Sequence, residues 1–235
     1  MITERNVLLW ILRFTADKSK VNIKEFKDKL PLPFSIVKNV LKDLDRKGLI
    51  AFTDDNFTVT CEQRVAAAVK AINLGSDIET VCAYLTWAEF ENISTLAFVE
   101  NKFNTKQHLR FKYSGKRWEV DIIAWRGKIA VVADCKHWKR NWRISYIRKI
   151  VEMHLKRTRA LTEALPLKGL KCDLNRIEFV VPTIISLVPS PLKFYLDVPI
   201  VPVLQLRDFI SSLTEHLNTI KHFIRKPTGH NIFYK

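Results

Sequence analysis

The stretch from Trp118 to Trp138 reads WEVDIIAWRGKIAVVADCKHW, and it decides how the second half of the chain is interpreted. Its Val, Ile and Trp residues are typical of two β-strands, with Arg126-Gly127 as a two-residue turn between them. With that turn, Trp125 faces Lys128 across the two strands. The stretch therefore predicts a β-hairpin with a fixed register.

The alternation of side chains along a strand separates charged from apolar residues in this hairpin. Counting outward from the turn places Glu119 opposite Asp134. The charged face then carries Glu119, Asp121, Asp134 and Lys136. The apolar face carries Val120, Ile122, Ala124, Val131, Ala133 and Cys135. A plain three-residue loop would instead send Asp121 and Asp134 to opposite faces, and a surface hairpin with solvated charges is the alternative interpretation.

Carboxylates gathered on one side of an apolar hairpin are costly unless they have partners. Carboxylate oxygens are hard ligands that suit Mg²⁺ or Mn²⁺, so we expect a divalent cation here. The acid-x-Lys triplet alone is weak evidence, because Asp45-Arg46-Lys47 and Glu25-Phe26-Lys27 repeat it in helical stretches. Only the triplet at Asp134 has another acidic residue on a preceding strand.

These residues resemble the PD-(D/E)xK nuclease superfamily, in particular Mrr-like restriction endonucleases and archaeal Holliday-junction resolvases. Asp121 matches the first acidic position of the motif, and Asp134-Cys135-Lys136 matches the triplet. His137-Trp138 is similar to the continuation of the triplet in the Mrr-like branch. Val120 stands where the motif's name has proline. The resemblance covers roughly residues 85–210.

The resemblance also implies roles for individual residues. The segment Trp87-Ala88-Glu89-Phe90-Glu91 resembles the first-helix motif, whose final glutamate is a metal ligand in the family. Glu91 matches that glutamate, and Glu89 is the alternative candidate for the same role. The implied metal ligands are Glu91, Asp121, Asp134 and the carbonyl group of Cys135. Lys136 would orient or deprotonate the attacking water, so the implied catalytic residues are Glu91, Asp121, Asp134 and Lys136.

The composition points towards a polyanionic partner. Thirty-nine Lys and Arg against twenty-four Asp and Glu give a formal net charge of +15 and a sequence pI of about 9.8. Such a charge attracts nucleic acid, although a ribosome-associated protein or a Lys-rich thermophilic surface would share it.

No apolar run spans a bilayer, no signal-peptide pattern is present, and the four cysteines form no C-x-x-C pair, so we expect a cytoplasmic protein without membrane contact.

The first sixty residues predict a winged-helix domain. Helical periodicity marks residues 4–15, 22–26 and 35–47, with Asn22 as an N-cap and Gly48 as a C-cap, and a hairpin follows. Apolar positions of the third helix are Ile36, Val40, Leu41 and Leu44. In such a domain, Ser35, Lys38, Asn39 and Lys42 would enter the major groove. A protein-binding module of the same shape is the alternative.

A helical connector of residues 61–84 is expected next, with Ser76 opening a capping box for its second helix. The remaining order, α-β-β-β-α-β-(β)-α, is that of the nuclease fold. Its basic residues are predicted to bind DNA: Arg110, Lys112, Lys116, Arg117, His137, Lys139, Arg140, Arg143 and Arg148. Most of the six histidines are interpreted as surface or phosphate-contacting residues, and His137 is the only one expected close to the site.

Taken together, the sequence predicts an α/β fold with a restriction-endonuclease-like mixed sheet flanked by helices, plus an N-terminal α+β winged-helix domain. The expected domains are 1–60, 61–84 and 85–235. The expected function is Mg²⁺-dependent endonucleolytic cleavage of DNA, with Mn²⁺ as a substitute metal and a homodimer as a possible assembly. The alternatives are a non-catalytic DNA-binding protein with a degenerate nuclease fold and a winged-helix transcriptional regulator.

Overall fold

The first elements of the chain follow the expected winged-helix order, with one short strand added. The computed structural model describes residues 2–137, 143–165 and 174–225. Contacts within the chain divide it into two units, Met1–Ile93 and Ser94–Lys235. The elements that begin in the first unit are α1 (Ile2–Phe14), β1 (Lys20–Asn22), α2 (Ile23–Lys27), α3 (Phe34–Arg46), β2 (Ala51–Phe52), β3 (Asn56–Thr58), α4 (Cys61–Asn73), α5 (Ile78–Ala83) and α6 (Trp87–Glu100). The three strands form an antiparallel sheet in the order β1-β3-β2.

Local signals in the sequence fix the ends of these helices. The side chain of Asn22 accepts hydrogen bonds from the backbone N–H groups of Lys24 and Glu25 and caps α2, as predicted. Gly48 follows α3 with φ +71°, and the N–H of Leu49 bonds to the carbonyl of Leu44, which closes the helix in a Schellman motif. These caps confirm the predicted helix boundaries to within one or two residues.

Two sequence predictions in this unit are wrong. The buried positions of α3 are Val37, Leu41 and Leu44, while Ile36 is 41% exposed. Ile36 precedes the buried stripe by one residue, which rotates it about 100° away from the core. The N-cap of α5 is Asp77, whose side chain accepts from the N–H of Thr80. Ser76 therefore lies one position too early to cap the helix.

A buried arginine of α4 joins several segments of the first unit. Nε of Arg64 lies 2.8 Å from Oε1 of Glu89, and the guanidinium also donates to the carbonyls of Leu12 and Tyr84 and to the hydroxyl of Thr15. A buried ion pair of this kind is tolerated because every charged atom has a partner. Residues 61–84, expected as a connector, therefore form part of this unit's packing.

The second unit is built on a mixed sheet. Its further elements are β4 (Asn104–Tyr113), β5 (Lys116–Arg126), β6 (Ile129–Lys136), α7 (Ile144–Ala164), β7 (Phe179–Ser186), β8 (Phe194–Tyr195), β9 (Val198–Pro202), α8 (Leu206–His216) and β10 (Phe223–Ile224). The strand order is β4-β5-β6-β7-β9-β8, with β10 paired to β7. Pairing is antiparallel from β4 to β6 and parallel from β6 through β7 to β9. The predicted fold class, a mixed sheet flanked by helices, is confirmed.

The parallel centre of the sheet explains its sequence. β7 is buried from Val180 to Ser186, and β9 is buried throughout, so neither strand alternates polar with apolar residues. Helix α7 packs against β4, β5 and β7. Its buried residues, with those of the sheet, form clusters that include Val132, Val151 and Leu161. Within the described residues, no helix combines the length and apolar character that crossing a bilayer requires.

The turn between β5 and β6 lies one residue later than the sequence analysis placed it. Arg126 pairs with Ile129, so the two-residue loop is Gly127-Lys128, and Trp125 pairs with Ala130 instead of Lys128. Gly127 has φ +59°, and Lys128 is not among the residues with positive φ, which is the sign pattern of a type II′ turn. The pairing moves by two positions, so every side chain keeps its predicted side.

Replacing Gly127 with valine is expected to destabilise the second unit by about 1–2 kcal/mol, because a β-branched residue resists positive φ. A Cβ at this position would meet no atom within 4 Å, so backbone strain alone is responsible. Both faces of β6 are buried and hold the register, so the fold survives. Urea unfolding of Gly127→Val beside Gly127→Asn, which tolerates positive φ, measures this. An asparagine variant as unstable as the valine variant would contradict the explanation.

Candidate functional site

Asp121 and Asp134 lie side by side on adjacent strands. The β5–β6 pairing runs from Arg126–Ile129 to Ile122–Ala133, and one further step along that register places Asp121 beside Asp134. The regular ladder stops there, and the backbone N–H of Cys135 donates to Oδ2 of Asp121 at 2.8 Å. The carboxylate of Asp121 thus takes the place of a backbone acceptor at the end of the paired region.

Two cations hold Asp134. Nζ of Lys136 lies 2.7 Å from Oδ2 of Asp134, and Nη1 of Arg157 lies 2.7 Å from Oδ1. Asp134 is 3% exposed, whereas the side chains of Lys136 and Arg157 are 14% and 23% exposed. Lys136 follows Asp134 by two residues on β6, and Arg157 reaches it from α7. The site is therefore a pair of carboxylates and a pair of cations, with balanced formal charge.

His154, one turn before Arg157 on α7, is buried beside the site, where His137 was the only histidine expected. Its Nε2 lies 2.9 Å from the carbonyl oxygen of Val132, and its Nδ1 has no hydrogen-bond partner among the described residues. Burial lowers the pKa of His154 to about 4. The imidazole is thus uncharged at neutral pH and donates from Nε2, which ties α7 to β6 beside Asp134.

The two aspartates have opposite electrostatic environments. Burial, followed by repulsion from Asp134, raises the pKa of Asp121 above its ordinary value. Burial would also raise the pKa of Asp134, but interaction with His154, which carries charge only when protonated in acid, and with the cations of Lys136 and Arg157 outweighs it and lowers that pKa. Two neighbouring carboxylates with divergent pKa values are characteristic of sites that bind cations or move protons.

Replacing Asp121 with asparagine is expected to stabilise the metal-free protein by about 1 kcal/mol at neutral pH. A raised pKa means that ionisation of Asp121 costs folding free energy, so this cost disappears in acid, where the parent carboxyl is protonated. The gain from Asp121→Asn should therefore grow with pH through the raised pKa. Urea unfolding in EDTA at acidic and neutral pH measures it.

Asp43→Asn, at an exposed aspartate paired with Arg46, is a matched control that should change stability by less than about 0.5 kcal/mol. An Asp121→Asn variant that is less stable than the parent at neutral pH would show that the ionised carboxylate stabilises the fold.

The two glutamates of the first-helix motif have different surroundings. The carboxylate of Glu89 bonds to Arg64 in the buried ion pair and to the backbone N–H of Thr86, so both of its oxygens already have partners. Glu91 is 4% exposed and accepts a hydrogen bond from the indole N–H of Trp87. Within the described ranges, no three His, Cys, Asp or Glu side chains form a group ready to hold a metal. The donors that the second unit brings together are the carboxylates of Asp121 and Asp134.

The predicted nucleic-acid contacts of α3 lie on its exposed side. Ser35, Asn39 and Lys42 are exposed, while Nζ of Lys38 lies 3.3 Å from Oδ1 of Asp54, at the tip of the β2–β3 hairpin. The acidic hairpin tip thus partly neutralises this helix.

In the second unit, the predicted contacts follow the β4–β5 hairpin. Arg110, Lys112, Lys116 and Arg117 are exposed there. Six residues of this hairpin line an open cavity of about 610 Å³: Arg110, Phe111, Lys112, Arg117, Trp118 and Glu119. Nε of Arg110 lies 2.9 Å from Oε2 of Glu119, so one of the cations is paired.

The other predicted contacts lie near the triplet. His137 is half-buried, and Arg143 and Arg148 are exposed. The guanidinium of Arg148 lies 5.7 Å from the ring centre of Tyr195. Lys139 and Arg140 lie outside the described residues.

The sequence analysis missed Arg157 as a site residue. The signal that identifies it is the spacing of α7, in which Ile147, Val151, His154, Thr158 and Leu161 form the buried stripe. Arg157 follows His154 by three residues and therefore sits on the edge of that stripe. A cation at the edge of an apolar helical face either extends to solvent or pairs with an anion of the neighbouring strands, so the spacing marks Arg157 as a candidate without naming its partner.

Comparisons with known proteins give distant similarities. No model of a protein family matches the chain. An uncharacterized protein of Archaeoglobus fulgidus is 28% identical over 134 residues, which is 57% of this chain and 95% of that protein. Protein VC1899 from Vibrio cholerae is 14% identical, with a TM-score of 0.44, over 93% of this chain and 55% of that one.

Can2 from Sulfobacillus thermosulfidooxidans, solved in complex with cyclic tetra-adenylate, is 15% identical, with a TM-score of 0.39, over 92% of this chain and 51% of that one. The chain thus spans about half the length of these two solved structures. Similarity at this level assigns no function to the chain.

Proposed function

We propose that this chain is a divalent-metal-dependent DNA endonuclease. One observation carries the proposal: Asp121 and Asp134 lie together on adjacent strands, and Nζ of Lys136 lies 2.7 Å from Asp134. This is the set that the resemblance to PD-(D/E)xK nucleases requires at these positions. The formal net charge of +15 and the exposed cations of the β4–β5 hairpin support a polyanionic substrate.

The donors present fit Mg²⁺ or Mn²⁺. The carboxylate oxygens are hard ligands, and the raised pKa of Asp121 reflects burial and a repulsion that a cation between the two aspartates would relieve. Oδ1 of Asp121 accepts no hydrogen bond from any described residue, so it is available as a ligand. Asp121, Asp134 and the carbonyl of Cys135 would hold the metal, with Glu91 as a further ligand implied by the resemblance.

The bound metal would polarise the scissile phosphate and make its bound water more acidic. The remaining chemistry falls to residues of this chain. Lys136 lies beside Asp134 with part of its side chain accessible, so its ammonium can orient the attacking water and counter the charge that develops on phosphorus. Exposed cations of the hairpin, with Arg143 and Arg148, would bind the flanking phosphates.

A second candidate function is DNA binding without catalysis, by a degenerate nuclease fold. It is favoured by the pairing of both Asp134 oxygens with cations, which compensates the carboxylates without any metal. The winged-helix arrangement of the first unit also keeps the transcriptional regulator as an alternative. A regulator would protect a specific DNA sequence from footprinting reagents, and its binding would not depend on metal.

The test is incubation of the purified protein with supercoiled plasmid and with junction, flap and single-stranded DNA. Each substrate is presented with Mg²⁺, with Mn²⁺ and with EDTA. The nuclease proposal expects metal-dependent cleavage of at least one substrate. DNA binding without cleavage of any substrate in either metal would contradict it and favour the non-catalytic alternative. The same panel identifies the substrate class, and sedimentation with DNA tests the expected homodimer.

A further inference from the structure

Arg157 bonds to a carboxylate oxygen of Asp134 that the proposed metal site would use as a ligand. Its Nη1 lies 2.7 Å from Oδ1 of Asp134, while Lys136 takes Oδ2 at the same distance. With both cations in place, the two carboxylates of the site carry no net charge to attract a metal ion. A divalent cation that arrives alone must therefore compete with Arg157 for Asp134.

The rest of the Arg157 guanidinium is available to another anion. An arginine presents five N–H donors in a rigid fork, and only Nη1 of Arg157 has a partner among the described residues. The side chain of Arg157 is 23% exposed, so part of it can be reached from solvent. A planar fork whose Nε and Nη2 have no partner among the described residues matches the geometry of a phosphate group.

Other cations of α7 have different surroundings. The guanidinium of Arg159 lies 5.6 Å from the ring centre of Phe223, and Lys156 and Arg159 line a separate cavity with Asp197 and Lys221. Arg148 lies over the ring of Tyr195. Among the described residues of the helix, Arg157 is the cation that bonds to a carboxylate of the site.

We infer that Arg157 exchanges between two anions: Asp134 when DNA is absent, and a phosphodiester of the DNA backbone when DNA is bound. The arriving phosphate draws the guanidinium away from Oδ1 of Asp134, and that oxygen becomes available to the metal. Binding of DNA and binding of the metal then favour each other, as linkage between the two requires. This inference rests on the proposed nuclease function and assigns Arg157 a role in it.

The exchange predicts two opposite changes in Arg157→Gln, neither of which depends on cleavage. Calorimetric titration of the DNA-free protein with Mn²⁺ should show affinity raised about tenfold, because the competitor for Asp134 is gone. Fluorescence anisotropy of a short labelled duplex in EDTA should show DNA affinity lowered about tenfold, because a phosphate contact is lost. A merely structural role for Arg157 would weaken both.

Two further variants sharpen the result. Arg157→Lys keeps the positive charge but lacks the planar fork of the guanidinium. Its Mn²⁺ affinity should stay near that of the parent, and its DNA affinity should lie between those of the parent and Arg157→Gln. Arg159→Gln, a matched arginine two residues along the same helix, should leave Mn²⁺ affinity unchanged. Thermal melting of every variant establishes that the protein measured is folded.

The outcomes separate the inference from the function on which it rests. Raised Mn²⁺ affinity together with weakened DNA binding in Arg157→Gln supports the exchange. If the parent binds Mn²⁺ and cleaves DNA but Arg157→Gln changes neither affinity, or weakens both, only the inference is overturned. If the parent neither binds Mn²⁺ nor cleaves any DNA, the proposed function is overturned and the inference with it.

Discussion

Asp134→Asn is expected to reduce DNA cleavage about 10³-fold or more, the scale of losing a principal electrostatic group of an active site. Asparagine keeps the size of the side chain but removes the anion between Lys136 and Arg157. A neutral amide is a poor ligand for a hard cation, so Mn²⁺ affinity should fall as well. The measurements are calorimetric Mn²⁺ titration and plasmid nicking by the parent and the variant.

DNA binding distinguishes loss of the site from loss of the fold. In EDTA, Asp134→Asn should bind DNA as tightly as the parent or more tightly, because a negative charge facing the phosphates has gone. The surroundings of Asp134 lower its pKa, so its ionised form stabilises the fold at neutral pH, and this contribution is lost as pH falls through the lowered pKa. The melting temperatures of the variant and the parent should therefore converge in acid.

Asp45→Asn provides the matched control, because Asp45 begins the same acid-x-Lys pattern in the first unit. Oδ1 of Asp45 accepts the backbone N–H of Phe52 at 3.0 Å, and an asparagine oxygen can keep that hydrogen bond. Mn²⁺ binding and cleavage should match those of the parent. If Asp134→Asn, and not only this control, binds metal and cuts DNA like the parent, the site at Asp134 is not the source of the cleavage, and the observation that carries the nuclease proposal is overturned.

The placement of Asp121 and Asp134 on one face of the hairpin could be predicted, because it depends only on whether the loop between the strands has an even or an odd number of residues. The predicted turn was one residue too early, which moved the pairing by two positions and left each side chain on its predicted side. Burial of both faces of β6 then fixes the register, since a slip of one residue would exchange the faces. A two-residue loop was therefore sufficient to place the two carboxylates on one face, although the paired residues were predicted two positions away.

The contacts of α7 could not be predicted in the same way, because they depend on tertiary packing. His154 is buried, and Arg157 bonds to Asp134, where the helix crosses β6. The sequence shows which positions of a helix are apolar, but it does not show which strand those positions pack against. The role of Arg64 was missed for the same reason, since its partners come from three other segments of the first unit. In each case, local periodicity identified the element and not the partner.

Lys136→Ala is expected to separate metal binding from chemistry. Asp134 keeps its bond to Arg157, so its carboxylate stays ionised and Mn²⁺ should still bind. Cleavage should fall about 10²-fold or more, the contribution typical of a group that orients or deprotonates a nucleophile. DNA affinity in EDTA should drop only slightly, because one of many positive charges has gone.

Lys128→Ala is the control for removing a lysine from the same hairpin. Lys128 lies in the β5–β6 turn, where its ammonium is 2.8 Å from Oε1 of Glu178 and largely exposed, so its loss should leave cleavage and Mn²⁺ affinity unchanged. Single-turnover cleavage at saturating DNA and Mn²⁺ is the measurement that decides, because it excludes effects on binding. Equal rates for Lys136→Ala, Lys128→Ala and the parent would show that Lys136 serves only to neutralise Asp134. A lowered rate in Lys136→Ala alone, with Mn²⁺ affinity retained, would place Lys136 in the chemical step.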